Sequence, residues 1–353
     1  MLRVVLVRRE LGRRTYAVLM GSSAVLSILV SIVVVALASS MPPQTLLFKV
    51  GESYANLNTL RYFSTLTIIG LGLTVAYSAK LWNIGAEGQL VVGAIGATAV
   101  ALFTPLGHIP VLGIVVGLIL ASLLGLLWGL AAILLKLKLG LNEVLVTLLL
   151  NYIAYYTADY LVYGPWRGIY VHGYPETDLI PQESWLLRVY GYSFSYPVLL
   201  TALILVVLVY MVMKFTRLGI AIRAYGSNPR AVELSGISSF RTAVAAFVIS
   251  AALAGLAGGF ELFAVHRKLV PGYKIGAGLG YISIIVAWLS GLNPLLVPLS
   301  AYYVSGLMVF RYVLQIGTVN IGDAFAQFFI GIALLSTLAT SSLARYKIKV
   351  VRS

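Results

Sequence analysis

The chain has 353 residues, 60% of them hydrophobic and only 10% charged, with a formal net charge of +14 and no cysteine. Apolar runs recur along its whole length, beyond what a soluble core can use, so composition identifies a polytopic membrane protein with no soluble region large enough to fold separately. Without cysteine, disulfides, thiolate metal sites and iron–sulfur clusters are excluded, and no basic stripe with interleaved aromatics offers a surface to nucleic acid. The positive excess is read instead as anchoring to anionic lipid.

A membrane-spanning helix takes roughly 20 apolar residues, and about ten segments qualify, near 16–38, 61–79, 89–104, 111–135, 144–163, 197–214, 241–263, 279–290, 295–312 and 322–342. Prolines and glycines such as Pro105, Pro110, Gly140, Pro165, Pro271 and Pro294 punctuate the connections. The first segment follows Arg3, Arg8, Arg9, Arg13 and Arg14. Ala36-Leu37-Ala38 mimics a signal-peptidase site, but the apolar stretch exceeds a usual cleaved h-region, so a retained first span is expected.

With the N-terminus inside, seventeen of the 25 Lys and Arg residues fall on the inner side and eight on the outer. That bias predicts both termini in the cytoplasm, in a single transmembrane domain over 1–353 with a cytoplasmic arm at 1–15, a cytoplasmic loop at 215–240 and an outer loop at 164–196. The cluster from Arg267 to Lys274 runs against the count. His108, His172 and His266 fall in separate predicted connections, which gives no histidine metal cluster and no resident cofactor.

Between the second and third spans, Asn83-Ile84-Gly85-Ala86-Glu87-Gly88-Gln89 interrupts membrane-grade sequence. Polar groups there must face protein or a wet cavity, not lipid. Asn83, Glu87 and Gln89 are therefore candidate residues of a solute path, since broken helices in transporters line solute sites. For Glu87 the alternatives are an ion pair with Lys80 or capping of a broken helix.

The fifth span places Glu143, Thr147, Asn151, Tyr155 and Asp159 at intervals of four, along one helical ridge. This ridge is either the wall of a translocation path, with Thr147 and Asn151 as its candidates, or polar glue between helices. Ala251, Gly255, Gly258 and Gly259 in the seventh span favour close helix packing. Glu261 follows and is expected near the interface. The short span at 279–290 begins after Gly276, Gly278 and Gly280 and stops at Asn293-Pro294, a further break. The many tyrosines suit interfacial belts, with stacking on a planar solute as the alternative.

In the cytoplasmic loop, Asn228 is a suitable N-cap, Pro229 fits the first helical position and Gly236 is a suitable stop. A helix this short is marginal alone, so it is expected to dock, on lipid or in a partner's groove. No G-x-x-x-x-G-K-[S/T] phosphate loop occurs, so energy comes from an ion gradient or from another subunit.

Asn83 to Gln89, Asn142-Glu143-Val144 with Thr147 and Leu150-Asn151-Tyr152, and Arg223-Ala224 through Gly236-Ile237 occur in this order. Together they resemble the permease subunit of ABC importers of the ribose and branched-chain amino-acid permease superfamily, nearest the nucleoside and simple-sugar branch. The resemblance covers about 62 to 341. It implies an all-α, type II importer-like fold with broken helices, in the cell membrane. Its implied partners are cytoplasmic ATP-binding subunits, a second permease, for which the branch suggests a paralogue, and an extracytoplasmic solute-binding protein. Asn228, Pro229, Arg230, Glu233, Leu234 and Gly236 would then belong to the coupling helix on the ATPase. The outer loop would dock the binding protein or be lineage decoration, and Arg267 and Lys268 would pair with acids on that protein. The expectation is a non-catalytic transport subunit for a nucleoside or simple sugar. Its rivals are a branched-chain amino acid as solute, an ion-coupled transporter or channel acting alone and, weakest for want of any catalytic motif, an intramembrane enzyme.

Overall fold

The computed structural model describes residues 2–8, 42–170, 173–315 and 346–352, with scattered positions between 18 and 37 and between 331 and 339. Apart from those positions, the expected spans 16–38 and 322–342, the arm from Arg9 to Thr15 and His172 lie outside the described residues. Among the described residues, eight helices are long and apolar enough to cross a membrane, and they match the eight remaining expected segments.

In chain order the helices are α1 (Pro43–Ala55), α2 (Leu57–Ser78), α3 (Ala86–Phe103), α4 (Leu112–Leu139), α5 (Glu143–Tyr163), α6 (Tyr196–Phe215), α7 (Arg217–Ser227), α8 (Pro229–Leu234), α9 (Ser239–Phe260), α10 (Gly272–Gly276), α11 (Leu279–Leu289) and α12 (Val297–Gln315). The all-helical membrane fold is as expected. The sequence reading missed α1, whose Pro43 sits at its first turn, and an antiparallel ribbon of β1 (Leu2–Arg8) and β2 (Tyr346–Arg352), registered from Leu2↔Arg352 to Arg8↔Tyr346.

By contacts the chain divides into two units, Leu60–Ala301 and Met1–Thr59 with Tyr302–Ser353. In the second, the ribbon brings the two ends of the chain together, and the Tyr54 hydroxyl donates to the Tyr303 carbonyl at 2.8 Å. In the first, α3, α4 and α9 pack as a tight trio. The expected small-residue face of α9 is the seam. A Cβ built on Gly255 would lie 2.4 Å from the Ala121 carbonyl oxygen, and one on Gly93 would lie 2.2 Å from the Gly255 carbonyl oxygen. No side chain fits there, so the backbones themselves are in contact.

After Phe260 the helix widens into a π turn, Glu261–His266, and ends at Arg267 with φ 58°. Widening frees carbonyls from the i→i−4 ladder. Those of Ala264 and Val265 accept from the Arg188 guanidinium, which reaches in from the outer loop. Burial, followed by the neighbouring Arg267 and Arg61 charges, pulls Arg188 down to about 10, so it stays protonated at neutral pH. The loop is further tied by the amide of Ile180 to the Arg267 carbonyl at 2.9 Å, and Ile180 itself is buried against Leu262 and Phe263.

Candidate functional site

The interruption at 79–85 is a true helix break. The chain leaves α2 through Lys80, a non-glycine residue at φ 55°, and re-enters a helix at Ala86. All five path candidates, Asn83, Glu87, Gln89, Thr147 and Asn151, are at most 1% exposed. They converge on this break, and their polar atoms are bonded to the protein itself.

Asn83 and Gln89 form a reciprocal carboxamide pair. The Asn83 amide donates to Gln89 Oε1 at 2.9 Å and to Ser250 Oγ at 3.0 Å, while Asn83 Oδ1 accepts from Gln89 Nε2 and from the Gly85 amide, both at 3.0 Å. Asn151 then supplies from α5 the N-cap that α3 lacks. Its Oδ1 accepts from the Gly88 amide at 2.8 Å, and its amide donates to the Ile84 carbonyl at 3.0 Å and the Tyr281 hydroxyl at 2.9 Å. A helix start leaves amides without intrahelical partners, and Gly85 offers no side chain to satisfy them. Thr147 bonds back to its own helix at Glu143 and packs its Cβ against Gly85.

Glu87 repeats the device for α11, nearly two hundred residues on. Its Oε1 accepts from the Tyr155 hydroxyl at 2.8 Å and the Gly278 amide at 2.9 Å, and its Oε2 from the Gly280 amide at 2.7 Å. Ala277 and Gly278, at φ 50° and 77°, turn those amides toward the carboxylate. A Cβ on Gly276 would lie 2.2 Å from Glu87 Oε1. Of the two alternatives to path lining, helix capping is therefore what the carboxylate does, though the helix capped is α11. Among the described residues no ion pair joins Glu87 to Lys80.

Further out on the same ridge, Asp159 Oδ1 accepts from the Gly272 amide at 2.8 Å, at the start of α10. The i, i+4 ridge of α5 thus closes three broken segments in succession: Asn151 serves α3, Tyr155 holds the Glu87 that serves α11, and Asp159 serves α10. Glu143, at the ridge's first turn, pairs with Lys136 of α4 and accepts weakly from the Trp82 amide at 3.4 Å.

The second candidate group lies apart from this network. Asn228 Oδ1 accepts from the Arg230 amide at 3.0 Å, Pro229 opens α8, and the chain stops at Gly236 with φ 75°. Val232 is buried, while Arg230, Glu233 and Gly236 are exposed and Leu234 is 90% exposed. The preceding α7, unforeseen as a separate helix, connects this handle to the break. A Cβ on Gly226 would lie 2.1 Å from the Ser78 carbonyl oxygen, so α7 rests directly on the last turn of α2. Burial, then the neighbouring Glu143 and Glu233 carboxylates, push the Tyr225 phenol of α7 up.

Glu261 is 1% exposed, and it is held by Arg61 at 2.7 Å and the Thr65 hydroxyl at 2.6 Å. The basic cluster from Arg267 to Lys274 has partners within the chain. Lys268 pairs with Glu176, the Arg267 guanidinium lies 4.0 Å from the centre of the Trp185 ring, and Lys274 stands over Tyr174 at 5.6 Å. The partners are all in or beside the outer loop, which hydropathy alone could not relate to this segment.

Membrane-crossing helices, broken at depth and closed by buried side chains from their neighbours, are the architecture of a solute permease. Over residues 56–338 the chain matches, and belongs to, the family described as branched-chain amino acid transport system / permease component. It is 30% identical over 265 residues to the guanosine ABC transporter permease protein NupP of Bacillus subtilis, covering 73% of this chain and 74% of that one. It is 29% identical to the nucleoside ABC transporter permease protein NupB of Lactococcus lactis, covering 67% and 66%. To the glucose ABC transporter permease protein TsgB13 of Haloferax volcanii it is 26% identical, covering 80% and 76%. No solved structure matches the chain. The protein is thus a multi-pass transport component and not an enzyme, and permeases of this kind work with ATP-binding subunits, a substrate-binding protein and a partner permease.

Proposed function

We propose that this chain is the permease subunit of an ATP-driven importer of nucleosides in the cell membrane, with both termini cytoplasmic and a paralogous permease beside it. The observation that carries the reading is the continuity between handle and break. The exposed α8 leads through α7 onto Ser78, five residues before the interrupted segment begins at Asn83. A force applied at α8 would reach the network that holds α3 and α11 in place, which is what a power stroke delivered from outside the chain requires. Asn228, Pro229, Arg230, Glu233, Leu234 and Gly236 form the element that seats on the ATP-binding subunit. Asn83, Glu87, Gln89, Thr147 and Asn151 shape the path by fixing the broken helices along it. The pairing of β1 with β2 supports termini on one side, and the lysine and arginine bias assigns that side to the cytoplasm.

The names of two relatives favour a nucleoside, and that of TsgB13 supports a simple sugar as the second reading. The test is uptake of labelled guanosine and glucose into liposomes holding the chain with its partner permease, ATP-binding subunits and binding protein. ATP-dependent guanosine accumulation is expected. Accumulation by this chain alone on an ion gradient would overturn the proposal.

A further inference from the structure

The polar ridge of α5 faces the protein interior, which leaves open what its opposite face meets. That face carries Tyr152 and Tyr156, 51% and 68% exposed. The helix has 21 residues, or about 31 Å at its standard rise, so Tyr152 lies about 14 Å and Tyr156 about 20 Å from its start. Both stand well inside the roughly 30 Å hydrocarbon thickness, whereas aromatic belts sit at its two edges. Tyr160 and Tyr163, nearer the far end, suit such a belt.

Lipid is a poor neighbour for these two rings. Among the described residues neither hydroxyl has a hydrogen-bond partner in the chain, and a phenol at mid-depth in hydrocarbon would be left unsatisfied. Faces that meet lipid elsewhere in the chain look different. The exposed large side chains from Val115 to Leu127 on α4 and from Leu200 to Met211 on α6 include no aromatic ring, whereas α5 exposes Tyr152 and Tyr156 among Leu145, Leu149 and Ile153. A second helix is also a poor fit, because close packing in membranes favours small residues, and here Ile153 flanks two bulky tyrosines.

The two rings are also neighbours in the chain of residues that belong to the buried network. Tyr281 of α11, half-buried, accepts from Asn151, and Tyr155, half-buried, donates to Glu87. Tyr152 directly follows Asn151 and Tyr156 directly follows Tyr155, so each ring stands one residue from a side chain that reaches the helix caps.

We propose that Tyr152 and Tyr156, with Tyr281, form a stacking surface for the flat ring of an aromatic heterocyclic solute at mid-depth in the path. This deepens the importer reading and rests on it. Stacking needs only a π face, so it passes a ring without holding it by directional hydrogen bonds, as suits a path more than a storage site.

The test uses the assembled transporter. Because this chain has no cysteine, Tyr152→Cys and Tyr156→Cys each give it a single thiol, whose modification by a charged methanethiosulfonate reagent is read as a mass shift. Modification that guanosine slows and ribose does not is expected. In uptake, Tyr152→Phe should remain near the unsubstituted rate, while Tyr152→Leu with Tyr156→Leu should lose about tenfold or more, the scale of one lost base–aromatic stack. Thiols that stay unmodified would place this face against lipid and overturn the proposal. So would crosslinking of either thiol to the partner permease, or full guanosine uptake by the leucine variant. Failure of the parent reading is separately visible, since the unsubstituted complex would then import no guanosine before any tyrosine is changed.

Discussion

A carboxylate inside a membrane protein invites a catalytic or solute-binding role, yet the three donors around Glu87 define a different one. Two of them are backbone amides of the turn that starts α11, and that turn holds Ala277 in the left-handed region, which costs a non-glycine residue about 1–2 kcal/mol. The carboxylate offsets that strain by accepting from amides that have no other partner. Glu87→Ala should therefore lower stability by about 1–3 kcal/mol, the penalty for buried amides left unbonded. Glu87→Gln should act in the same direction more weakly, since one oxygen remains to accept. Thermal unfolding in detergent measures both, and an unchanged midpoint for Glu87→Ala would remove the capping role. Lys80→Ala, which breaks no ion pair to Glu87, should leave the midpoint where it is.

At the scale of helices, the trio α3, α4 and α9 depends on backbone contact at Gly255. Gly255→Ala would press a methyl group against the Ala121 carbonyl oxygen, 2.4 Å away, and neither helix can yield locally because the clash is with main chain. The expected result is a sharp loss of folded protein in the membrane, whereas Gly51→Ala, with nothing within 4 Å, should be neutral. Comparing fluorescence-detected size-exclusion profiles of the two variants checks this. The glycine spacing in α9 was legible from sequence because small residues at helical intervals have one favoured use. The i, i+4 ridge of α5 was legible too, but only as a face. Periodicity cannot name the partner of Asn151 or Asp159, since the amides they cap, at Gly88 and Gly272, belong to the first turns of other helices that the tertiary fold brings alongside. Hydropathy misleads about depth of burial. The window in α4 has mean hydropathy 2.6 and is 28% buried, while that in α2 has 1.3 and is 89% buried. Nor does the order simply invert, since α5 is the least apolar of the spans and the least buried, while the more apolar α9 is mostly buried. Pro42, Lys49 and Glu52 likewise disguised α1 as a connection.

For the whole molecule, the consequential arrangement is that the handle and the helix break adjoin while their chemistry is separate. Asn228, Pro229 and Gly236 shape α8 without touching the Asn83–Gln89–Asn151 network, and α7 links the two through backbone contact at Gly226 and Ser78. The local helix of the handle was legible from its cap and stop residues. Its seat on α2 was not, because nothing in the sequence relates Gly226 to Ser78. Leu234, 90% exposed on α8, is the side chain that an apolar groove on an ATP-binding subunit would take. Its removal should cost docking and leave the membrane fold intact, since it contributes little to the chain's own packing. Leu234→Asp is expected to assemble with its partner permease and keep the same unfolding midpoint, yet to lose ATP-dependent uptake by about tenfold, the effect of some 1.4 kcal/mol at the contact. Gly226→Val should also lower uptake, but for the other reason: it would lift α7 from Ser78 while leaving Leu234 free to dock. Measuring ATP hydrolysis together with uptake separates the two. The Leu234 variant should no longer stimulate hydrolysis, and the Gly226 variant should hydrolyse ATP while moving less solute. If both lose hydrolysis equally, α7 is part of the docking surface and not the lever between that surface and the break.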